Sequence, residues 1–208
     1  MLEHTVSYSF KEFANMPLTP FHLSSTFLLY FKAKRHVDPL ALAVSATFID
    51  LEPLYYWVAY GVISHRVWHG YALALTIFPI LVTVAVYLTE HAFGERLLNI
   101  YRLMGLQPDK AKYPALNIYL ISVFGGFTHI FLDMFSHANM MWVLYPLAYG
   151  NPFYSRTAST AVGVAVALLS TITLILWLKS VKEYLSGTRR TERAAGASPR
   201  AAPEPHTT

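Results

Sequence analysis

Apolar residues run through this chain in long blocks, and charge is confined to the short intervals between them. Three blocks, at about 70–89, 115–135 and 157–178, have the roughly 20 residues a helix needs to cross a hydrocarbon core. A fourth, 40–63, is as long but contains Asp50, Glu52 and Pro53. Proline removes a backbone donor and crowds the preceding turn, so this pattern predicts a break near Asp50. Upstream, 21–31 is apolar for only 11 residues, about 16 Å of helix, which reaches half way across. The expected arrangement is a short helical hairpin, 21–31 and 40–49, turned at the basic link 32–36 and returning Asp50 towards His22. A continuous span over 40–63 is the alternative, and it would leave Asp50 at mid-membrane.

Composition agrees with the pattern. Hydrophobic residues make up 54% of the 208 positions and charged ones 13%, with mean hydropathy +0.37, which excludes an ordinary soluble domain. The expected fold class is all-α: a polytopic helical membrane protein with three transmembrane helices plus a broken or re-entrant N-terminal helical hairpin. Residues 1–15 read as a flank, 16–180 as the membrane-embedded domain, and 181–208, rich in Ser, Thr, Ala, Pro and Arg, as a disordered basic tail. The first 20 residues lack a basic stretch followed by an apolar one, so no cleavable signal peptide is expected.

Charge sets the expected orientation. The link 32–36 carries three Lys/Arg, the expected loop 90–114 four and the segment 179–200 six, against only Lys11, Arg66 and Arg156 on the other side. Positive charge stays inside, so the basic side and the C-terminus are expected in the cytoplasm of a cell-membrane protein. The +4 net charge needs no nucleic acid to account for it.

Against this apolar background the ionisable residues stand out. A charge in lipid is costly unless paired, solvated or bound to a metal, so residues placed there are functional candidates. His129 and Asp133 are four apart, on one helix face and about 6 Å apart along the axis, so both can reach one metal; His137 extends the row by a turn. The Gly125–Gly126 pair one turn earlier lets another helix approach or opens room for a substrate. His65 and His69 also share a face if helical, and Arg66 between them can bind an anion. Asp50 and Glu52 lie at the helix break, where one can ligate or bridge metals while the other acts as a base or supporting partner. His22, after Pro20, says little alone. Each group also has a plain structural reading: a His–Asp hydrogen bond, an interfacial cap, a helix-end cap paired with Arg66.

The convergence is what matters. Five of nine histidines, His22, His65, His69, His129 and His137, fall towards one expected membrane face together with Asp50, Glu52 and Asp133. No cysteine is present, so any metal is held by imidazole and carboxylate, which suits zinc, manganese or iron. The expected cofactor is therefore a divalent metal, zinc foremost, as one or two ions.

The same residues carry a family resemblance. The pieces are Met16-Pro17-Leu18-Thr19-Pro20-Phe21-His22, Ile49-Asp50-Leu51-Glu52-Pro53-Leu54-Tyr55-Tyr56, His65-Arg66-x-x-His69, His129-x-x-Leu132-Asp133-x-x-x-His137 and the Asn151-Pro152 turn, covering about 16–154. In these the chain resembles the bacterial and archaeal membrane-bound metal-dependent hydrolases, including the LexA-regulated inner-membrane members. Many of those carry Pro-Asp-x-Asp where this chain has Ile49-Asp50-Leu51-Glu52, which favours Asp50 over Glu52 as a ligand. The ligand order is also distantly similar to that of the zinc-dependent phospholipase C and single-strand nuclease group, which implies phosphoester hydrolysis in an all-α scaffold.

The resulting expectation is a metal-dependent membrane hydrolase acting on an ester or phosphoester, with a membrane lipid or lipid-linked molecule as substrate. His22, Asp50, His65, His129 and Asp133 are the expected metal ligands; His69 and His137 complete the set; Glu52 is the expected base and Arg66 the anion holder. The alternatives are a metal or proton transporter or sensor, and a structural membrane protein. Transport needs a polar path, and no second intramembrane carboxylate cluster is expected towards the cytoplasm. A di-iron lipid hydroxylase would need more histidines than these five.

Overall fold

In a computed structural model, which describes residues 19–196, every regular element is helical. The expected hairpin is present as α1 (Thr19–Lys32) and α2 (Pro39–Thr47). Asp38 starts α2 by accepting the Leu40 N–H at 2.8 Å, and Pro39 occupies the first position, where no backbone donor is needed. Asn117 Nδ2 donates to the His36 carbonyl at 2.7 Å, tying the turn of the hairpin to the bundle.

Block 40–63 breaks where the carboxylates are. A 3₁₀ turn, Phe48–Asp50, ends α2, and α3 (Leu51–Tyr60) follows with Pro53 in its first turn. An uninterrupted α-helix over 40–63 is therefore not formed. Gly61, at φ +68°, closes α3 with its N–H on the Trp57 carbonyl, and an irregular segment leads to a second 3₁₀ turn, Val67–His69.

Three helices are long and apolar enough to cross a membrane. The first begins as the single turn α4 (Tyr71–Ala74) and continues as α5 (Ile77–Leu103), kinked at Phe93; the others are α6 (Ala115–Ser136) and α7 (Arg156–Gly196). Their outer faces expose Ile80, Val84, Leu88, Phe124, Leu168 and Ile175, the apolar coat of a lipid-facing bundle.

Two boundaries differ from the sequence expectation. The loop foreseen over 90–114 is helical as far as Leu103, and Glu90 is buried inside α5, where it accepts the Tyr113 N–H at 2.9 Å. That bond removes the reason to expel the carboxylate to a loop. The last helix likewise continues past 178 into the foreseen tail, to Gly196. Residues 1–15 of the foreseen flank, and 197–208 of the tail, lie outside the described residues.

The hairpin packs inside this frame, α2 along α6 and α1 along α7, while α5 packs on the other flank of α6. Close approach explains the glycine pair. A Cβ at Gly125 would run into Ser45 Oγ of α2, and one at Gly126 would lie 3.0 Å from the Ala74 carbonyl oxygen of α4. The pair serves helix approach and leaves no substrate space. Two apolar cores result: Tyr30, Leu42, Val86 and Ile118 at one end, and Ile49, Phe78, Ile130 and Met140 at the other.

Replacing Gly125 by Ala is expected to lower stability by about 1–3 kcal/mol through overpacking against Ser45. Thermal unfolding in detergent should show the loss, and adding Ser45→Gly should restore most of it.

Candidate metal centre

The site is assembled from four places that the fold brings together. α1 brings His22, the break after α2 brings Asp50, the 65–69 segment brings His65 and His69, and the last two turns of α6 bring His129 and Asp133, with His137 just past its end. His22, His65, His69, His129 and Asp133 are all buried, whereas Asp50 and His137 retain 22% and 13% of their side-chain exposure.

Asp133 lies at the centre, with its two oxygens facing different partners. Oδ2 lies 3.1 Å from His129 Nε2 and 3.7 Å from His69 Nε2. Asp50 Oδ1 closes that group, 3.2 Å from His129 Nε2 and 4.0 Å from His69 Nε2. Oδ1 of Asp133 lies 3.2 Å from His22 Nε2 and 3.7 Å from His137 Nε2. Two sets of ligand atoms can each surround an ion: Asp50, His69, His129 and Asp133, with all atoms within 4.8 Å of one another, and His65, Asp133 and His137, likewise within 4.8 Å. They share Asp133.

The imidazoles are oriented from behind. His129 Nδ1 bonds the Ala46 carbonyl at 2.8 Å, His69 Nδ1 the Glu52 carboxylate at 2.9 Å and His65 Nδ1 the Asn139 side-chain oxygen at 3.2 Å. Each acceptor takes the Nδ1 proton, which leaves Nε2 as a lone pair. The Nε2 atoms of His69 and His129 are buried and face Asp133 Oδ2 and Asp50 Oδ1, so a cation among the four atoms would take a lone pair from each. The buried Asp/His cluster is able to bind a metal.

Electrostatics supports the same protonation states outside the spans. Burial lowers the His65 imidazole well below its usual range, reinforced by His69 and His137 and opposed by Asp133 and Asn139. Burial also lowers His137, with Asp133 opposing. Both rings are therefore neutral at neutral pH, the form that ligates.

The expected ligands gather around Asp133, with His22 near its Oδ1 but in neither ligand set, and Glu52 and Arg66 lie beside them. Glu52 is already engaged: it accepts the Arg66 N–H at 2.8 Å, the Trp68 N–H at 3.2 Å and the His69 ring. Its carboxylate holds the 65–69 segment and orients His69, and it also lines the cavity in which Arg66 lies. Arg66 makes no ion pair with Asp50 or Glu52. Its guanidinium lies 4.6 Å from the centre of the Tyr56 ring, bonded to Ser64 Oγ at 3.2 Å. It lines a cavity of about 600 Å³ together with His65, Tyr56, Asn139, Trp142 and Tyr149, so His65 belongs both to the cluster and to the cavity wall.

From the sequence, Asn139 and Asn151 read as loop and turn residues, with a substrate contact as the other reading. Asn139 orients His65, and Asn151 Nδ2 donates to the Met134 and His137 carbonyls at 2.8 Å each, pinning the end of α6 that carries Asp133 and His137. The Ala46 carbonyl, a main-chain partner, had no side-chain signal to find. Glu52→Gln, which keeps the shape and loses an acceptor, should weaken metal binding by about 10–100-fold. Titration of the metal-depleted protein with a competing chelator measures that shift.

No curated protein and no solved structure matches the chain. A family model does match, over residues 16–200, and its description is a domain of unknown function, DUF4184. The match takes in the hairpin, all three long helices and every residue of the cluster, and so the chain belongs to the DUF4184 family.

Proposed function

We propose that this protein is a metal-dependent membrane hydrolase that cleaves an ester or phosphoester in a lipid-linked substrate. The observation that carries this reading is the division of the Asp133 oxygens between two imidazole sets, beside a cavity lined by Arg66. A carboxylate facing two ligand groups suits two ions, and the all-nitrogen-and-oxygen donor set suits zinc, with manganese or iron as alternatives. Bound there, such ions would supply a water-derived nucleophile at neutral pH and offset the charge of a phosphoryl group.

The remaining contributions come from the chain. Ala46, Glu52 and Asn139 hold three imidazoles with Nε2 forward. Arg66, whose charge is unpaired among the described residues, would bind the substrate's anionic group in the cavity. Tyr56, Trp142 and Tyr149 give that cavity aromatic walls for the uncharged part of a headgroup. α3 exposes Leu54, Tyr55, Val58 and Tyr60 next to it, a surface suited to the membrane interface, so a headgroup can reach the cluster while acyl or isoprenoid chains stay in lipid. By the charge bias, the cluster faces the non-cytoplasmic side of the cell membrane and the C-terminus the cytoplasm.

Transport through the bundle is the second reading. One observation favours it: Asp38 and Glu90 are buried side by side at the opposite end, where no carboxylate cluster is expected from the sequence. The space between the two ends speaks against it. Leu42 and Ala46 of α2 and Ile118 and Ile121 of α6 are buried there, and the intervening Ser45 and Ser122 hydroxyls donate to carbonyls of their own helices. No polar path joins the clusters among the described residues.

The hydrolase reading predicts zinc- or manganese-dependent release of headgroup from lipid phosphoesters by the detergent-purified protein. Arg66→Ala should raise KM for an anionic substrate by about tenfold with a smaller change in kcat. Steady-state kinetics against charged and neutral ester analogues checks this; an Arg66→Ala protein that lost the charged and neutral substrates equally would contradict the role.

A further inference from the structure

The end of the bundle away from the histidines holds a buried polar cluster that hydrolysis does not use. Asp38, at the start of α2, and Glu90, next to the kink of α5, are 0% and 1% exposed and lie within hydrogen-bonding reach of each other. Their bonds are to the backbone: Asp38 accepts from the Leu40 N–H, at Oδ1, and from the Ala41 N–H, and Glu90 Oε2 accepts the Tyr113 N–H. Neither has an ion pair among the described residues; Lys112 acts on Glu90 only through its field. Asp38 Oδ2 has no hydrogen-bond partner. The buried hydroxyls of Tyr101 and Tyr113 have none either, that of Tyr30 has the Gln107 N–H but no acceptor, and the charges of Asp38 and Glu90 act on Tyr101 and Tyr113. Burial pushes the Asp38 carboxyl up to about 6, the response of an acid with no cation beside it.

This arrangement leaves two deficits: negative charge without a positive partner, and three phenol O–H groups without an acceptor. A proton shared by the carboxyls would reduce the charge and leave the hydroxyls as they are. A trapped water would serve the hydroxyls and leave the charge. A cation bringing its own water answers both. With only oxygen donors and two carboxylates, the ion is hard and divalent.

We propose that Asp38, Glu90 and the hydroxyls of Tyr30, Tyr101 and Tyr113 form an oxygen-only site for Mg²⁺ or Ca²⁺, separate from the histidine cluster. It lies about 18 Å from Asp50 along the direction of α2. Bound there, the ion clamps α1, α2, α5 and the segment entering α6, and this role does not rest on the hydrolase reading.

The test uses the full chain in detergent with Tb³⁺ as a Ca²⁺ stand-in whose luminescence is sensitised by adjacent tyrosines. The site predicts sensitised emission that Ca²⁺ or Mg²⁺ displaces, that survives Asp133→Ala, and that Glu90→Gln weakens at least tenfold. Tyr101→Phe, which keeps the charges and removes one hydroxyl, should weaken it less, and it carries the test if Glu90→Gln fails to fold. Emission lost in Asp133→Ala but intact in Glu90→Gln would assign the ion to the histidines and overturn the proposal. Absence of emission, or emission that neither Ca²⁺ nor Mg²⁺ displaces, would overturn it in favour of a proton-sharing pair.

Discussion

The structure depends on one buried carboxylate. Asp133 lies in an apolar helix, 2% exposed, where an uncompensated charge would be prohibitively costly. Imidazole nitrogens flank it on both sides, His129 and His69 at one oxygen and His22 and His137 at the other, and a cation held among them would compensate the charge. The surrounding architecture delivers those groups. α2 is short because it must stop where Asp50 meets His129; α1 is close because His22 must reach Asp133; the 65–69 segment is held by Glu52 so that His69 points inward. Gly125 lets α2 come near enough for the Ala46 carbonyl to hold the His129 ring.

α2 relates the two ends of the molecule. Asp38 begins it, within one buried polar cluster, and Asp50 follows its end, within the other. Between them the helix is apolar, and its serine bonds back to its own backbone. The molecule is therefore polar inside at both ends and dry in the middle, with an apolar outer coat. That division fits a centre that acts at one membrane face better than one that passes ions across.

Much of this was legible in the sequence because it follows from short-range physics. Runs of about 20 apolar residues imply spans, and Pro53 after two acids marks a break. Four-residue spacing put His129 and Asp133 on one face, and the bias of Lys and Arg gathered the histidines towards one side before any contact was known. What stayed hidden depended on partners far along the chain. Glu90 ends a hydropathic run and read as a loop residue; its bond to the Tyr113 N–H, 23 positions on, keeps it inside a helix. Glu52 read as a free base until its three donors were visible, and the glycine pair left two uses open until Ser45 and Ala74 proved to be its neighbours. Hydropathy reports what a segment is made of, and the decisive facts here are what it touches.

The central claim is that Asp133 joins two ligand sets into one metal centre, and counting ions tests it directly. Protein purified in detergent without chelator, loaded with zinc or manganese and freed of excess, should contain about two transition-metal ions per chain by elemental mass spectrometry. Asp133→Asn, with unchanged helical content, should lose both together. A metal content in Asp133→Asn equal to that of the wild type, or no retained metal in the loaded wild type, would contradict the account.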